Sequence, residues 1–332
     1  MNNATGRAAA LAHPNIAFIK YWGMADESRK IPANASLSMN LGCLSTRTMV
    51  TLDPDLSEDA LVLNGRMITG PGRERVHRFM DHIRRMAGKN IPVQVVSENN
   101  FPVGTGLASS ASAFAALALA GTTAFDLELD EKALSQLARF GSGSASRSVP
   151  GGFVEWRPGE DSVEPYAESI APPDHWKLFD CIAILSAEHK PIGSEAGMRL
   201  ADTSPFQAPR IQDSHRRLGS CRQAILNRDF EALARVVELD SNMMHAVMMT
   251  SQPPLFYWQP ESLAIMKAVK DWQARGLPVT YTLDAGPNVH VLCTQEALSQ
   301  VLKNLREMPG VLDVLKGLPA GPARLITPPI QS

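Results

Sequence analysis

Three rhythms of apolar and polar residues run along this chain, and each predicts its own kind of element. Short apolar or alternating runs read as strands over 16–19, 31–41, 47–52, 93–101 and 178–185. The run 61–68 is split by Asn64-Gly65, a tight hairpin turn. Apolar residues three and four apart predict amphipathic helices over 72–88, 131–140, 209–227, 229–248, 260–276 and 294–307. Residues 279–293 read as two strands around the turn Asp284-Ala-Gly-Pro-Asn288. Residues 1–8 are polar and predicted loose, and 159–176 is polar, proline-bearing and predicted as a surface loop.

Two stretches break these rhythms. In Pro102-Val-Gly-Thr-Gly-Leu-Ala-Ser-Ser-Ala-Ser112, proline and glycine mark a loop, and 107–120 is rich enough in alanine and leucine to predict a helix. With the strand at 93–101 ahead of it, this makes an anion site. The first N–H groups of a helix lack intrahelical partners, and the macrodipole adds about half a positive charge there. Gly104 and Gly106 admit close approach, and Thr105, Ser109, Ser110 and Ser112 offer hydroxyls to phosphate or a metal. Alone, the stretch reads equally as a buried alanine-rich helix after an ordinary loop, since it lacks the Gly-Lys-Ser/Thr ending of a P-loop. The second stretch, Gly141-Ser-Gly-Ser-Ala-Ser-Arg-Ser148, is too dense in hydroxyls for a core strand. Ser142 and Ser144 can donate to phosphate or carboxylate, and Arg147 can pair with a carboxylate.

Single residues carry less. Lys20 follows an apolar run and by itself reads as a lysine reaching solvent. Asp284 reads as an Asx turn or as a carboxylate aimed into a cleft to accept a proton. Most arginines of the basic helix over 72–88 read as a solvated face, though one near its start could reach a ligand phosphate. Ser194 lies near a helix start, His245 and His290 read as structural, and Met243, Met244, Met248 and Met249 as adaptable packing.

Composition narrows the classes. The 332 residues suit one large or two ordinary domains, and 44% hydrophobic with 20% charged residues is a globular balance. A net charge of −2 leaves no footprint for nucleic acid or a polybasic membrane contact, so an anion would need a local site. Cys43, Cys181, Cys221 and Cys293 show no metal spacing and are expected as free thiols. With no leader and no apolar run near 20 residues, the expectation is cytoplasmic.

Taken together, Asn15-Ile-Ala-Phe-Ile-Lys-Tyr-Trp-Gly23, Ser97-Glu-Asn-Asn-Phe-Pro102 with Gly106-Leu-Ala-Ser-Ser-Ala111, Gly141-Ser-Gly-Ser-Ala-Ser-Arg-Ser148 with Gly151-Gly152, and Leu283-Asp-Ala-Gly-Pro-Asn288 resemble the mevalonate diphosphate decarboxylases of the GHMP small-molecule kinase superfamily. The resemblance implies an α+β fold of two domains, 1–186 holding nucleotide and 187–332 supplying Asp284, with the site between them. It implies ATP as co-substrate with Mg2+. Ser97, Asn99, Pro102, Gly104, Thr105, Gly106, Leu107, Ala108, Ser109 and Ser110 would stand at the nucleotide, Ser110 also at the metal. Lys20, Tyr21, Trp22, Ser142, Ser144, Arg147 and Ser194 would surround phosphorylated mevalonate, with Arg75 at its distal phosphate and Asp284 beside its tertiary hydroxyl. The implied reaction phosphorylates that hydroxyl, then releases phosphate and carbon dioxide to leave an alkene. A homodimer is implied, with no nucleic acid and no membrane partner. Two positions depart from the pattern: Met24 stands where a lysine is common, and Val103-Gly-Thr105 where Thr-Ala-Ala is usual. One cation fewer keeps mevalonate 5-phosphate open beside the 5-diphosphate. A kinase that stops at phosphorylation and a non-catalytic binder are the other classes. The serine-rich segment argues against the first, and Asp284 with Lys20 against the second.

Overall fold

A computed structural model describes residues 6–101, 109–159, 164–186 and 192–327. Its helices are α1 (Pro71–Ala87), α2 (Ser109–Ala124), α3 (Glu131–Gly141), α4 (Ser194–Met198), α5 (Gln207–Gln212), α6 (Ser214–Asn227), α7 (Phe230–Thr250), α8 (Pro260–Ala274) and α9 (Leu298–Arg306). The class is α+β, as expected: the strands form separate, almost wholly antiparallel sheets with the helices packed against them.

The largest sheet runs Arg324–Ile326, Arg7–Ala12, Thr46–Leu52, Val93–Asn99, Ala60–Leu63, Arg66–Met67, with one parallel pair between Ala60–Leu63 and Val93–Asn99. Arg7–Ala12 lies inside this sheet, although residues up to 8 were expected to be loose. Alanine is a poor strand former, but small side chains let the equally alanine-rich α2 lie close. Ala8, Ala10 and Ala12 share a core with Ala115, Ala116, Ala118 and Ala120. Gly88 ends α1 in the left-handed region at φ 62°, and its N–H returns to the helix carbonyls.

A second sheet orders Tyr166–Ala171, Phe153–Arg157, Ser36–Asn40 and Asn15–Ile19. Tyr166–Ala171 corrects the expected loop: it is an edge strand that buries Ala167 and Ala171. The run 31–41 splits into Ile31–Pro32 and Ser36–Asn40 because the Asn34 side chain takes over local backbone bonding, donating to the carbonyls of Lys20 (3.0 Å) and Ala35 (2.6 Å).

The third sheet orders Val279–Thr282, Val289–Cys293, Phe179–Ile184 and Asp313–Gly317. A division at residue 186 therefore cuts Phe179–Ile184 from its partners, and the last strand, Arg324–Ile326, returns to the first sheet. The single helix expected over 209–227 is two, α5 and α6, meeting at Asp213, whose carboxylate is held by Arg216 and Arg217 of the following turn. One continuous core joins the halves: Ile16, Phe18 and Leu37 pack with Leu218, Val237 and Leu292. Among the described residues no helix is long and apolar enough to cross a membrane.

Candidate active site

Lys20 leaves the end of the strand Asn15–Ile19 and is wholly buried, so its ammonium does not reach solvent. Nζ instead donates to Asp284 Oδ1 at 2.7 Å. The main chain around it is pinned from below. The Lys20 N–H donates to Asp240 Oδ2 (2.6 Å), and its carbonyl accepts from Arg210 Nη2 (2.7 Å). Gln207 Nε2 donates to the Trp22 carbonyl (2.9 Å), and Arg217 Nε holds the other Asp240 oxygen (2.7 Å). Side chains of α5, α6 and α7 thus fix the segment that carries the lysine, and a fixed backbone leaves little rotamer freedom to lose in forming the ion pair.

Asp284 follows the strand Val279–Thr282 into the predicted turn, where the Leu283 N–H donates to Ser241 Oγ (3.0 Å) and the Gly286 N–H to the Asp284 carbonyl (2.8 Å). Its side chain keeps 28% of its surface accessible. Burial alone would raise its pKa. The Lys20 ammonium, with smaller help from His290 and Arg147, outweighs that and holds the carboxyl below its usual range. The group is therefore an ionised acceptor facing open space.

The serine-rich segment forms a 3-10 turn, Gly143–Ser148, between α3 and the strand Phe153–Arg157. Its tightness is steric. A Cβ on Gly143 would stand 2.8 Å from the Tyr21 ring and 2.9 Å from its hydroxyl. The hydroxyls of Ser110, Ser142 and Ser144 form a chain at 3.3 Å spacings. Arg147 is buried, and its partners are neutral: Asn15 Oδ1, Ser38 Oγ (3.1 Å) and Ser36 Oγ (2.6 Å). One N–H remains on each terminal nitrogen. Burial lowers its pKa to about 10, so it stays a cation at neutral pH, with no ion pair among the described residues. A buried cation without a paired anion is costly, and an anionic ligand supplies the missing charge. The Tyr21 hydroxyl and the Trp22 indole N–H are likewise buried without partners among the described residues.

These side chains line one cavity of about 650 Å³, a size usual for small-molecule sites. It brings together Lys20, Tyr21, Trp22, Arg75, Ser109, Ser110, Ser142, Ser144, Arg147, Ser194 and Asp284, all anticipated from sequence. Arg75 also donates through Nη2 to the Gly141 carbonyl at 2.7 Å, tying α1 to the serine segment. Ser97 and Asn99, expected at the nucleotide, do not line this cavity. They bond within the first sheet, to Thr48 Oγ1 (2.9 Å) and Thr46 Oγ1 (2.5 Å). Pro102, Gly104, Thr105, Gly106, Leu107 and Ala108 lie outside the described residues. Sequence reasoning passed over Lys30, Arg78, Glu195 and Arg199, which also line the cavity, and the buried Asp240, Arg210 and Arg217. Arg78 stands one helical turn from Arg75, and Asp240 is an acid in the apolar stripe that Leu233, Val237, Met244 and Met248 make along α7. Both were visible as spacings.

Residues 12–171 match the diphosphomevalonate decarboxylase-like N-terminal domain and 181–317 the mevalonate 5-diphosphate decarboxylase C-terminal domain. The chain belongs to the diphosphomevalonate decarboxylase family. It is 40% identical to the diphosphomevalonate decarboxylase of Aspergillus fumigatus over 85% of this chain and 75% of that one. It is 35% identical to the phosphomevalonate decarboxylase of Haloferax volcanii over 89% and 90% of the two. A solved structure, MDDEF in complex with MVAPP, AMPPCP and magnesium, superposes with a TM-score of 0.90 at 36% identity, covering 96% of this chain and 98% of that one. Family membership gives the cavity a context: members carry names for decarboxylation of either a diphosphate or a monophosphate.

Proposed function

We propose that this protein decarboxylates mevalonate 5-diphosphate with consumption of ATP, forming isopentenyl diphosphate, phosphate and carbon dioxide. One observation carries the reading: the ionised Asp284, held by Lys20 at 2.7 Å, lines the same cavity as the Ser110–Ser142–Ser144 hydroxyl chain and the Arg147 cation, which has no ion pair among the described residues. Tertiary hydroxide is a poor leaving group and phosphate a good one, so phosphorylation prepares the C–O bond for cleavage. Asp284 orients the hydroxyl and accepts its proton as the oxygen attacks the terminal phosphate. Lys20 keeps that carboxylate ionised. Arg147 aligns the substrate carboxylate with the breaking C–O bond, which is a positioning effect. Ser109 and Ser110, at the start of α2, donate to nucleotide phosphates.

Magnesium supplies charge neutralisation on the phosphates. The donor set fits a hard ion of this kind. The hydroxyls at this end of the cavity are oxygen donors, and magnesium takes few protein ligands besides phosphate and water. Ser110 is the residue we assign to it. The four free thiols support a reducing, cytoplasmic location. Mevalonate 5-phosphate is a second reading, favoured by Glu195, a carboxylate additional to Asp284 on the wall of a mainly cationic cavity.

The test is stoichiometry. Incubated with ATP, Mg2+ and mevalonate 5-diphosphate, the protein releases ADP, phosphate and carbon dioxide in equal amounts. Asp284→Asn lowers kcat by about 10²–10⁴-fold with KM within a few-fold. ADP formed without carbon dioxide would make it a kinase, and near-normal kcat in the variant would remove Asp284 from the chemistry.

A further inference from the structure

Among the described residues, the charged side chains lining the cavity are six cations, Lys20, Lys30, Arg75, Arg78, Arg147 and Arg199, and two carboxylates. Asp284 is accounted for by the chemistry. Glu195 is not, and a carboxylate that faces an anionic ligand is a cost unless it serves discrimination. It sits on α4, one residue after Ser194, and accepts from Lys30 Nζ at 2.5 Å. Lys30 rises from the short hairpin formed by Met24–Asp26 and Ile31–Pro32. Met24, at the base of that hairpin, also lines the cavity and brings no charge. A second ion pair, Arg199 Nε to Glu27 Oε1 at 2.5 Å, ties the same two elements together in the opposite sense. Lys30 and Arg199 are therefore paired with Glu195 and Glu27, as Lys20 is with Asp284, and Arg78 stands 3.9 Å from Glu74 on the exposed face of α1. Arg75, with no ion pair among the described residues, and the exposed Arg78 are left for the tail of the substrate, since Lys20 and Arg147 serve its reacting end. The field of Glu195 also reaches this end: burial would raise its own pKa, but Lys30 first, then Arg75 and Arg199, hold it down, and it in turn raises the pKa of Arg75 against burial.

We propose that Glu195 is the specificity-determining residue for phosphate number, acting by holding Lys30 and repelling a second phosphate, so that it narrows the preference of the cavity for a diphosphate over a monophosphate. The inference rests on the decarboxylase reading above. A diphosphate tail carries roughly one more negative charge than a monophosphate. Each substrate pays the repulsion, and the longer and more highly charged tail pays more of it. Glu195 also keeps Lys30 from offering its full charge. Discrimination is then a difference between two electrostatic terms, and removing the carboxylate alters that difference.

The experiment measures kcat/KM on mevalonate 5-diphosphate and on mevalonate 5-phosphate and takes their ratio. Glu195→Gln keeps the shape, frees Lys30 and raises the diphosphate-to-monophosphate ratio about tenfold. Lys30→Met leaves Glu195 without its counter-charge and lowers the ratio. Glu27→Gln frees Arg199 of the same wall from a more exposed ion pair and raises the ratio in the same direction by a smaller factor, under about twofold. The effect of Glu195→Gln shrinks between about 0.05 M and about 0.5 M salt, because the side chain is partly exposed and its field is screened. A ratio unchanged in Glu195→Gln, with both substrates scaled equally, overturns the proposal and leaves Glu195 a structural tether. A ratio change in Glu195→Gln that Lys30→Met fails to oppose also overturns it. Turnover of neither substrate by the unmodified protein would instead refute the decarboxylase reading itself.

Discussion

Lys20→Met removes one charge from the site while nearly keeping its volume. Two unit charges 2.7 Å apart attract by about 6 kcal/mol at an effective dielectric of about 20. Desolvation of the lysine, which is wholly buried, offsets part of this. Removing one partner of a buried pair costs about 3–5 kcal/mol, and the 28% accessibility of the Asp284 side chain selects the lower end, about 3 kcal/mol. That energy is the penalty for keeping Asp284 ionised without its lysine. The sign follows from the opposing causes at Asp284. Burial pushes its carboxyl up and the lysine pushes it down, so the variant leaves burial less opposed and the pKa rises. At alkaline pH the carboxylate is ionised in both proteins, and their kcat values differ only by lost positioning. As pH falls, the variant protonates first, and the gap between the two kcat values widens. The assay is kcat for carbon dioxide release from about pH 9 down to the lowest pH at which both proteins stay folded, with the acid side of each profile compared. Parallel profiles, with the acid limb unmoved in Lys20→Met, would refute the claim that Lys20 sets the ionisation of Asp284.

Two further outcomes rest on buried groups away from the substrate. Asp240→Asn leaves the Arg217 guanidinium, wholly buried and bonded to it at 2.7 Å, without half of its ion pairing, and is expected to cost about 3–5 kcal/mol in urea unfolding. A loss under about 1 kcal/mol would show that the network under Lys20 carries no strain. His245 is stacked on Trp258 and buried, and burial lowers its pKa to about 3. The unfolded chain therefore binds a proton that the folded one excludes below about pH 6.5. Stability contributed by the neutral ring is complete above that pH and falls by about 1.4 kcal/mol per unit as pH drops towards about 3. His245→Asn flattens this slope by about that amount between about pH 6 and about pH 4, measured by denaturant unfolding, and an unchanged slope contradicts the assignment.

Much of the site was legible in the chain because its residues come in short contiguous runs. Ser142 to Arg147 stands out by a hydroxyl density that no core strand needs, whereas Lys20-Tyr-Trp22, Ser109-Ser110 and the turn at Asp284 read alone as ordinary elements and became candidates through their shared resemblance, in order along the chain, to one family. Strong periodicity likewise placed α1, α3, α7 and α8 within a few residues. Arg7–Ala12 was invisible because its stability comes from an alanine helix lying against it, a property of the pair and not of either segment. Tyr166–Ala171 needed a neighbouring strand, Phe153–Arg157, to become an edge.

Local pattern could nominate the side chains that carry chemistry, since hydroxyl density, glycine placement and a carboxylate at a turn are properties of a few adjacent residues. Only the tertiary structure could decide their ionisation and their company. Lys20 and Asp284 are 264 positions apart, and whether that lysine reaches solvent or a carboxylate depends on how α5, α6 and α7 clamp its backbone. The same holds for Glu195 and Lys30, 165 positions apart. Charge interactions depend on distance and burial in space, and a linear sequence contains neither until the chain has closed on itself.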